Sequence, residues 1–121
     1  NRILGILPDQ NTIEKPVFVP FFGRLASVAP GVAVLAMRTD CTVLPGFGVR
    51  IRGGRFRLEL LPPLETPKEG GFHERLCAIS ADFTRVIEEE IRKYPEQWLW
   101  FHDRWRKRPP EEEQAGGQNV R

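Results

Sequence analysis

The sequence predicts an α/β fold, a partial mixed β-sheet flanked by helices, and three observations carry that prediction. Short apolar stretches with β character occur at Arg2–Leu7, Val17–Val19 and Thr42–Leu44. Two longer stretches, Ala29–Arg38 and Glu74–Tyr94, read as helices. Apolar and polar residues alternate with period two on both sides of Gly53-Gly54, which announces a hairpin.

Composition sets the scale. The chain has 121 residues, 40% hydrophobic and 28% charged, which suits one folded domain rather than a disordered chain. We place that domain at residues 1–110 and read 111–121 (EEEQAGGQNVR) as a disordered polar tail. The net charge is +2, and setting aside the tail's −2 leaves +4 on residues 1–110. That is a mild bias toward anionic partners. Cys41 and Cys77 have no CxxC or metal-type spacing and read as reduced, buried small residues. No apolar run approaches the roughly 18 residues of a membrane span. The chain opens on Asn1 rather than Met and runs straight into apolar residues, as a segment of a longer protein would.

Arg2–Leu7 is apolar on both faces, as expected of an interior strand in a covered sheet. It ends at Pro8 and feeds an acid and two amides, Asp9, Gln10 and Asn11. This stretch reads either as an ordinary turn or as polar groups set at the carboxyl edge of a sheet, where α/β enzymes bind ligands. Beyond it, Phe21-Phe22-Gly23 either plugs the core or lines an apolar pocket, because two adjacent phenylalanines are costly to leave wet.

Ala29–Arg38 is apolar nearly all round, so the helix is expected against a sheet, with Pro30 in its first turn and Ser27 as a cap. In the hairpin, Phe47, Val49 and Ile51 alternate with Gly48, Arg50 and Arg52, and Phe56, Leu58 and Leu60 alternate with Arg55, Arg57 and Glu59. A tight turn at Gly53-Gly54 puts all the apolar residues on one face and the arginines on the other. The arginine face is either solvated or a cationic surface for anionic head groups or a phosphate-bearing carrier.

In Glu74–Tyr94, Leu76, Ile79, Phe83, Val86, Ile87 and Ile91 form one stripe, Arg92 and Lys93 suit the helix C-terminus, and Pro95 stops it. Pro95–Pro110 is expected to form a further short helix with Trp98, Phe101 and Trp105 on one side and Arg104–Arg108 behind them. Such interleaving fits nucleic-acid stacking, a membrane interface, or an amphipathic helix docked on the core.

Catalytic motifs are sparse. His73 and His102 lack a metal-ligand partner at helical spacing, no serine sits in GxSxG, and neither FFG nor RGG is a phosphate loop. No metal and no cofactor are implied.

The ordered series LPDQN, VFVPFFG with its small-residue helix, TVLPGFGVR, GGRFRLEL and EEEIRKYPEQWLWFHDRWRKRP resembles one family. It is similar to the C-terminal half of the bacterial lipid A biosynthesis acyltransferases of the lauroyl/myristoyl type, within the wider lysophospholipid acyltransferase group. The likeness runs from about Leu4 to Pro109, and PDQ…VPFFG and PEQWLWFHDRW are its most specific parts. The family typically has Arg-Arg-Trp where this chain has Asp103-Arg104-Trp105.

The resemblance implies the C-terminal part of a glycerolipid-acyltransferase-like domain. Its partners would be an acyl carrier protein thioester as donor and a hydroxyl of a lipid A precursor as acceptor. It would work on a membrane surface, at the cytoplasmic face of the bacterial inner membrane, with no nucleic acid involved. The family's catalytic His-x4-Asp/Glu pair has no match here, because Ala78 follows His73 by five and Lys107 follows His102 by five. No catalytic residue is therefore assigned to this chain, which alone is expected to be inactive. By the same resemblance Asp9 and Gln10 fall at the site rim that contacts the polar acceptor, and Phe21, Phe22 and Gly23 wall the site or the acyl channel. The alternative is a non-catalytic module that uses the Trp/Arg-rich segment on a membrane or on nucleic acid.

Overall fold

The computed structural model describes residues 2–112. The tail expected at 111–121 lies, from residue 113 on, outside them.

Strand β1 (Val17–Phe21) and strand β2 (Arg24–Val28) form an antiparallel hairpin with Phe21 opposite Arg24. The two connecting residues, Phe22 and Gly23, both have positive φ, 49° and 74°. These are the backbone angles of a primed two-residue turn, whose twist matches that of the strands it joins. Helix α1 (Gly31–Thr39) follows, then β3 (Gly46–Ile51), β4 (Arg55–Leu60) and helix α2 (Phe72–Lys93). The α/β composition holds, but the expected mixed sheet is two separate antiparallel pairs, β1–β2 and β3–β4.

One core joins these parts. Val17, Val19 and Phe21 alternate with Phe18 and Pro20 along β1, so one face of the hairpin is apolar. With Ala26 and Val28 of β2 they pack on Leu76, Ile79, Phe83, Ile87 and Ile91 of α2, all buried. Full burial of each large apolar side chain stabilises the fold by about 1.5–3 kcal/mol.

Five sequence expectations change. Arg2–Leu7 is not a strand: Ile3 is 101% and Leu7 88% exposed, and no described strand pairs with it. Helix α1 buries Ala33 and Ala36 while Leu35 stays at the surface, and it packs against α2 rather than a sheet. Its N-cap is Pro30, since Ser27 is engaged within β2. Thr42–Leu44 is not a regular strand, although the Leu64 N–H donates to the Val43 carbonyl at 2.9 Å. Cys41 is exposed rather than buried, and Cys77 is half-buried; neither is in a disulfide.

The second hairpin differs in register. Its loop is Arg52-Gly53-Gly54, three residues, with Ile51 opposite Arg55. Both glycines take positive φ, 77° and 71°. The extra loop residue slips β4 by one place and turns its side chains over. Phe47, Val49 and Ile51 now share the inner face with Arg55, Arg57 and Glu59, while Phe56, Leu58 and Leu60 stand on the outer face with Gly46, Gly48 and Arg50. The inner face closes on α2 through polar contacts as well: Arg57 meets Glu59 at 2.6 Å, and the Tyr94 hydroxyl reaches both at 3.2 Å. Hydrogen bonding to Arg57 holds the Glu59 carboxyl below its usual range. The Gln97 side chain completes the edge of β3, accepting from the Arg50 N–H at 2.7 Å and donating to its carbonyl at 3.1 Å.

Candidate functional site

The polar loop after Pro8 is held by a seam between β2 and the segment after α2. Ser27 is 0% exposed and points to the opposite face of the hairpin from Ala26 and Val28. Its hydroxyl donates to Asn11 Oδ1 at 2.5 Å and accepts from the Thr12 N–H at 3.2 Å. Asn11 Oδ1 also takes the Lys107 N–H at 3.3 Å, and the Asn11 N–H donates to His102 Nε2 at 2.8 Å. His102 is thus an acceptor at Nε2. The neighbouring Asp103 carboxylate accepts the Trp105 N–H at 3.0 Å.

The expected helix over Pro95–Pro110 does not form. Only Pro95–Gln97 makes a 3-10 turn, and the later backbone bonds skip three residues or fewer, as in Trp100 to Trp98 and His102 to Leu99. The irregular path lets Trp98, Arg104 and Trp105 all reach the core, which six-residue spacing on a straight helix would forbid. Phe101, expected beside the two tryptophans, is 98% exposed. The aromatic and cationic side chains are combined inside the protein: Trp105 lies 5.4 Å and Trp98 6.4 Å from Phe21 between ring centres, and the Arg104 guanidinium sits 5.2 Å over the same ring.

Arg104 is 2% exposed and donates from Nη1 to the Ser27 carbonyl at 2.7 Å, while its Nε meets no acceptor. Burial pushes its guanidinium down from the usual range, and the one charge opposing this is Asp9. The half-buried Asp9 carboxylate thus partly offsets the cost of burying that cation.

Asp9 lies within electrostatic reach of Arg104 and is half-buried, and Gln10, next along the loop, is exposed. Of the two readings for the double phenylalanine, Phe21 takes the core, at 1% exposed. Phe22 is half-buried; its N–H donates to Glu88 Oε2 at 2.8 Å and its ring lies 4.7 Å beneath the Arg92 guanidinium. Gly23 is exposed at the turn. Trp105 links the two groups of residues, since its Nε1 donates to the Phe21 carbonyl at 3.2 Å. The cavity of about 90 Å³ at the β3–α2 seam, lined by Phe47, Val49, Ile87, Ile91, Tyr94 and Trp98 among others, is walled by neither Asp9 nor Gln10. Sequence reading missed the roles of Ser27, His102 and Arg104. The available signal was Arg104 directly before Trp105, the one cation of its cluster set among the aromatics rather than after them.

The family model for bacterial lipid A biosynthesis acyltransferase matches residues 1–107. A lipid A biosynthesis palmitoleoyltransferase of Escherichia coli strain K12 is 32% identical over 105 residues, which is 84% of this chain and 33% of that protein. A lipid A biosynthesis lauroyltransferase of the same organism is 28% identical over 111 residues, 89% of this chain and 35% of that protein. A lipid A biosynthesis acyltransferase of Haemophilus influenzae is 27% identical over 101 residues, covering 78% of this chain and 29% of its own length. The chain spans about a third of the length of these curated relatives. With a match that takes in both the Asp9 loop and the segment that holds it, the chain belongs to the bacterial lipid A biosynthesis acyltransferase family.

Proposed function

We propose that this chain is the part of an acyltransferase that positions the acceptor. The enzyme moves a fatty acyl group from an acyl carrier protein thioester to a hydroxyl of a lipid A precursor, at the cytoplasmic face of the bacterial inner membrane. The acceptor oxygen bonds to the thioester carbonyl carbon, the carbon–sulfur bond breaks, and the hydroxyl proton leaves through a base to the carrier's thiol. That base is the His of a His-x4-Asp/Glu pair, which residues 1–121 do not contain.

What this chain supplies is the rim. The Asp9 carboxylate accepts, and the Gln10 amide both donates and accepts, so together they suit the hydroxyls of a polar acceptor. Phe22 and Gly23 wall the approach, with Phe21 and Trp105 as a rigid backing. Arg104 offsets part of the charge that Asp9 and an anionic lipid A precursor bring to the rim. The observation that carries the reading is that the family match spans the whole seam, from the Asp9 loop to Lys107. The Trp/Arg segment has Trp98, Trp105 and Arg104 folded inward, while Trp100 and Phe101 stay exposed, so two of its three tryptophans serve the core rather than a stacking platform.

The test is Asp9→Asn in the full-length enzyme, with transfer from an acyl carrier protein thioester measured at saturating donor. Loss of a charged contact made in the transition state should lower kcat/KM by on the order of a hundredfold. Melting should fall by no more than about 1–2 kcal/mol, because Asp9 lies outside the apolar core but is the one charge that opposes the burial of Arg104. Unchanged turnover would remove Asp9 from the site.

A further inference from the structure

The geometry points to the outer face of the β3–β4 hairpin as a docking surface for an anionic lipid bilayer, through an apolar stripe with a cationic end. This rests on the membrane location proposed above and deepens it by naming the surface.

The one-residue slip in β4 leaves Phe56, Leu58 and Leu60 outward at 65%, 68% and 60% exposure. The facing strand adds no bulk of its own, because Gly46 and Gly48 stand opposite Leu60 and Leu58. A β-carbon at position 46 would lie 3.1 Å from Leu60 Cδ2 and 3.9 Å from Leu58 Cδ1, so the leucines lean across bare backbone. The result is a low apolar ridge about 13 Å long. Such a ridge on a solvated hairpin marks an interaction site.

Charge decides what the ridge meets. Arg50 stands on this face at its tip end, the loop residue Arg52 and the inner-face Arg55 lie at the same tip of the hairpin, and none of the three has an ion-pair partner among the described residues. Arg57, by contrast, is neutralised by Glu59 on the inner face. The Arg50 guanidinium lies 5.6 Å over the Phe56 ring, so cation and apolar surface are joined at one place. A covering protein segment would have to neutralise three arginines around an apolar strip. An anionic bilayer satisfies both at once, taking Phe56, Leu58 and Leu60 below the head groups while the arginines pair with phosphates.

The test places a polarity-sensitive fluorophore at Leu58→Cys in the full-length protein, with the other cysteines replaced by serine. Vesicles of phosphatidylethanolamine with phosphatidylglycerol should shift the emission to the blue, and phosphatidylcholine vesicles should not. The R50Q/R52Q/R55Q variant should partition on the order of a hundredfold more weakly, at about fivefold per arginine. It should still transfer acyl groups to detergent-dispersed acceptor. A probe that stays silent while the protein binds vesicles overturns the hairpin assignment and leaves the membrane location standing. Failure of the protein to bind vesicles at all overturns both. Emission already blue without lipid means that protein covers the stripe, and a shift produced by acyl carrier protein alone means that the arginines serve the carrier; either result overturns the proposal.

Discussion

Replacing Asn11 by alanine tests whether the Asp9 loop is held by the seam or by its own turn. Asn11 Oδ1 takes the Ser27 hydroxyl proton at 2.5 Å and the Lys107 N–H at 3.3 Å. Ser27 is 0% exposed, so its hydroxyl has no water to turn to once the acceptor is gone, a loss of about 1–3 kcal/mol. The Lys107 bond is long and only part-buried, so water recovers most of it. The expected cost is about 2 kcal/mol, or roughly 5–10 °C in Tm for a domain of this size.

The decisive measurement is a double-mutant cycle with Ser27→Ala, followed by urea unfolding and tryptophan fluorescence. Ser27→Ala alone removes the donor and also the acceptor of the Thr12 N–H, at about 1–2 kcal/mol. In the double variant no orphaned hydroxyl remains, so its cost should fall short of the sum by about 1–2 kcal/mol. Costs that add to within about 0.5 kcal/mol would show the two residues to be uncoupled and refute the seam as the element that positions Asp9.

Two further outcomes bear on the packing. Trp105→Ala removes the ring against Phe21 and the donor to its carbonyl, and should cost about 3 kcal/mol or more in chemical unfolding. Phe101→Ser, at a 98% exposed position, should stay within about 0.5 kcal/mol; equal losses would return the segment to an amphipathic helix. At the Phe22-Gly23 turn, burial raises the Glu88 pKa, but the Phe22 N–H and the Arg92 guanidinium outweigh it and leave it lowered. A lowered folded pKa contributes stability that is full above the unfolded value of about 4.3 and is lost as pH falls through the folded one. Glu88→Gln should therefore flatten the acid limb of stability against pH, and melting curves with identical acid limbs would contradict the role given to that carboxylate.

Some of this architecture follows from the chain read locally. The stripe from Leu76 to Ile91 is one face of α2 because helical periodicity depends only on spacing within one segment, and every residue named in it is buried. Gly53-Gly54 marks a hairpin for the same kind of reason, since positive φ is a demand the turn makes on its own residues. The Asp9–Asn11 loop is visible as a polar break after apolar residues. What holds it there is not, because Ser27, His102 and Arg104 come from parts of the chain 16 to 95 positions away.

The tertiary structure alone decided the hairpin register. Alternation by itself favours Ile51 opposite Phe56; packing against α2 and the Arg57–Glu59–Tyr94 contacts set Ile51 opposite Arg55 instead. It also decided against two plausible elements. Arg2–Leu7 has strand composition, yet a strand exists only where a neighbour offers its backbone groups. Residues after Pro95 begin like a helix, yet the burial of Trp98, Arg104 and Trp105 around Phe21 outweighs the helical bonds they give up. Periodicity and turn chemistry are properties of adjacent residues, whereas register, pairing and the fate of a buried charge depend on which distant surface arrives to meet them.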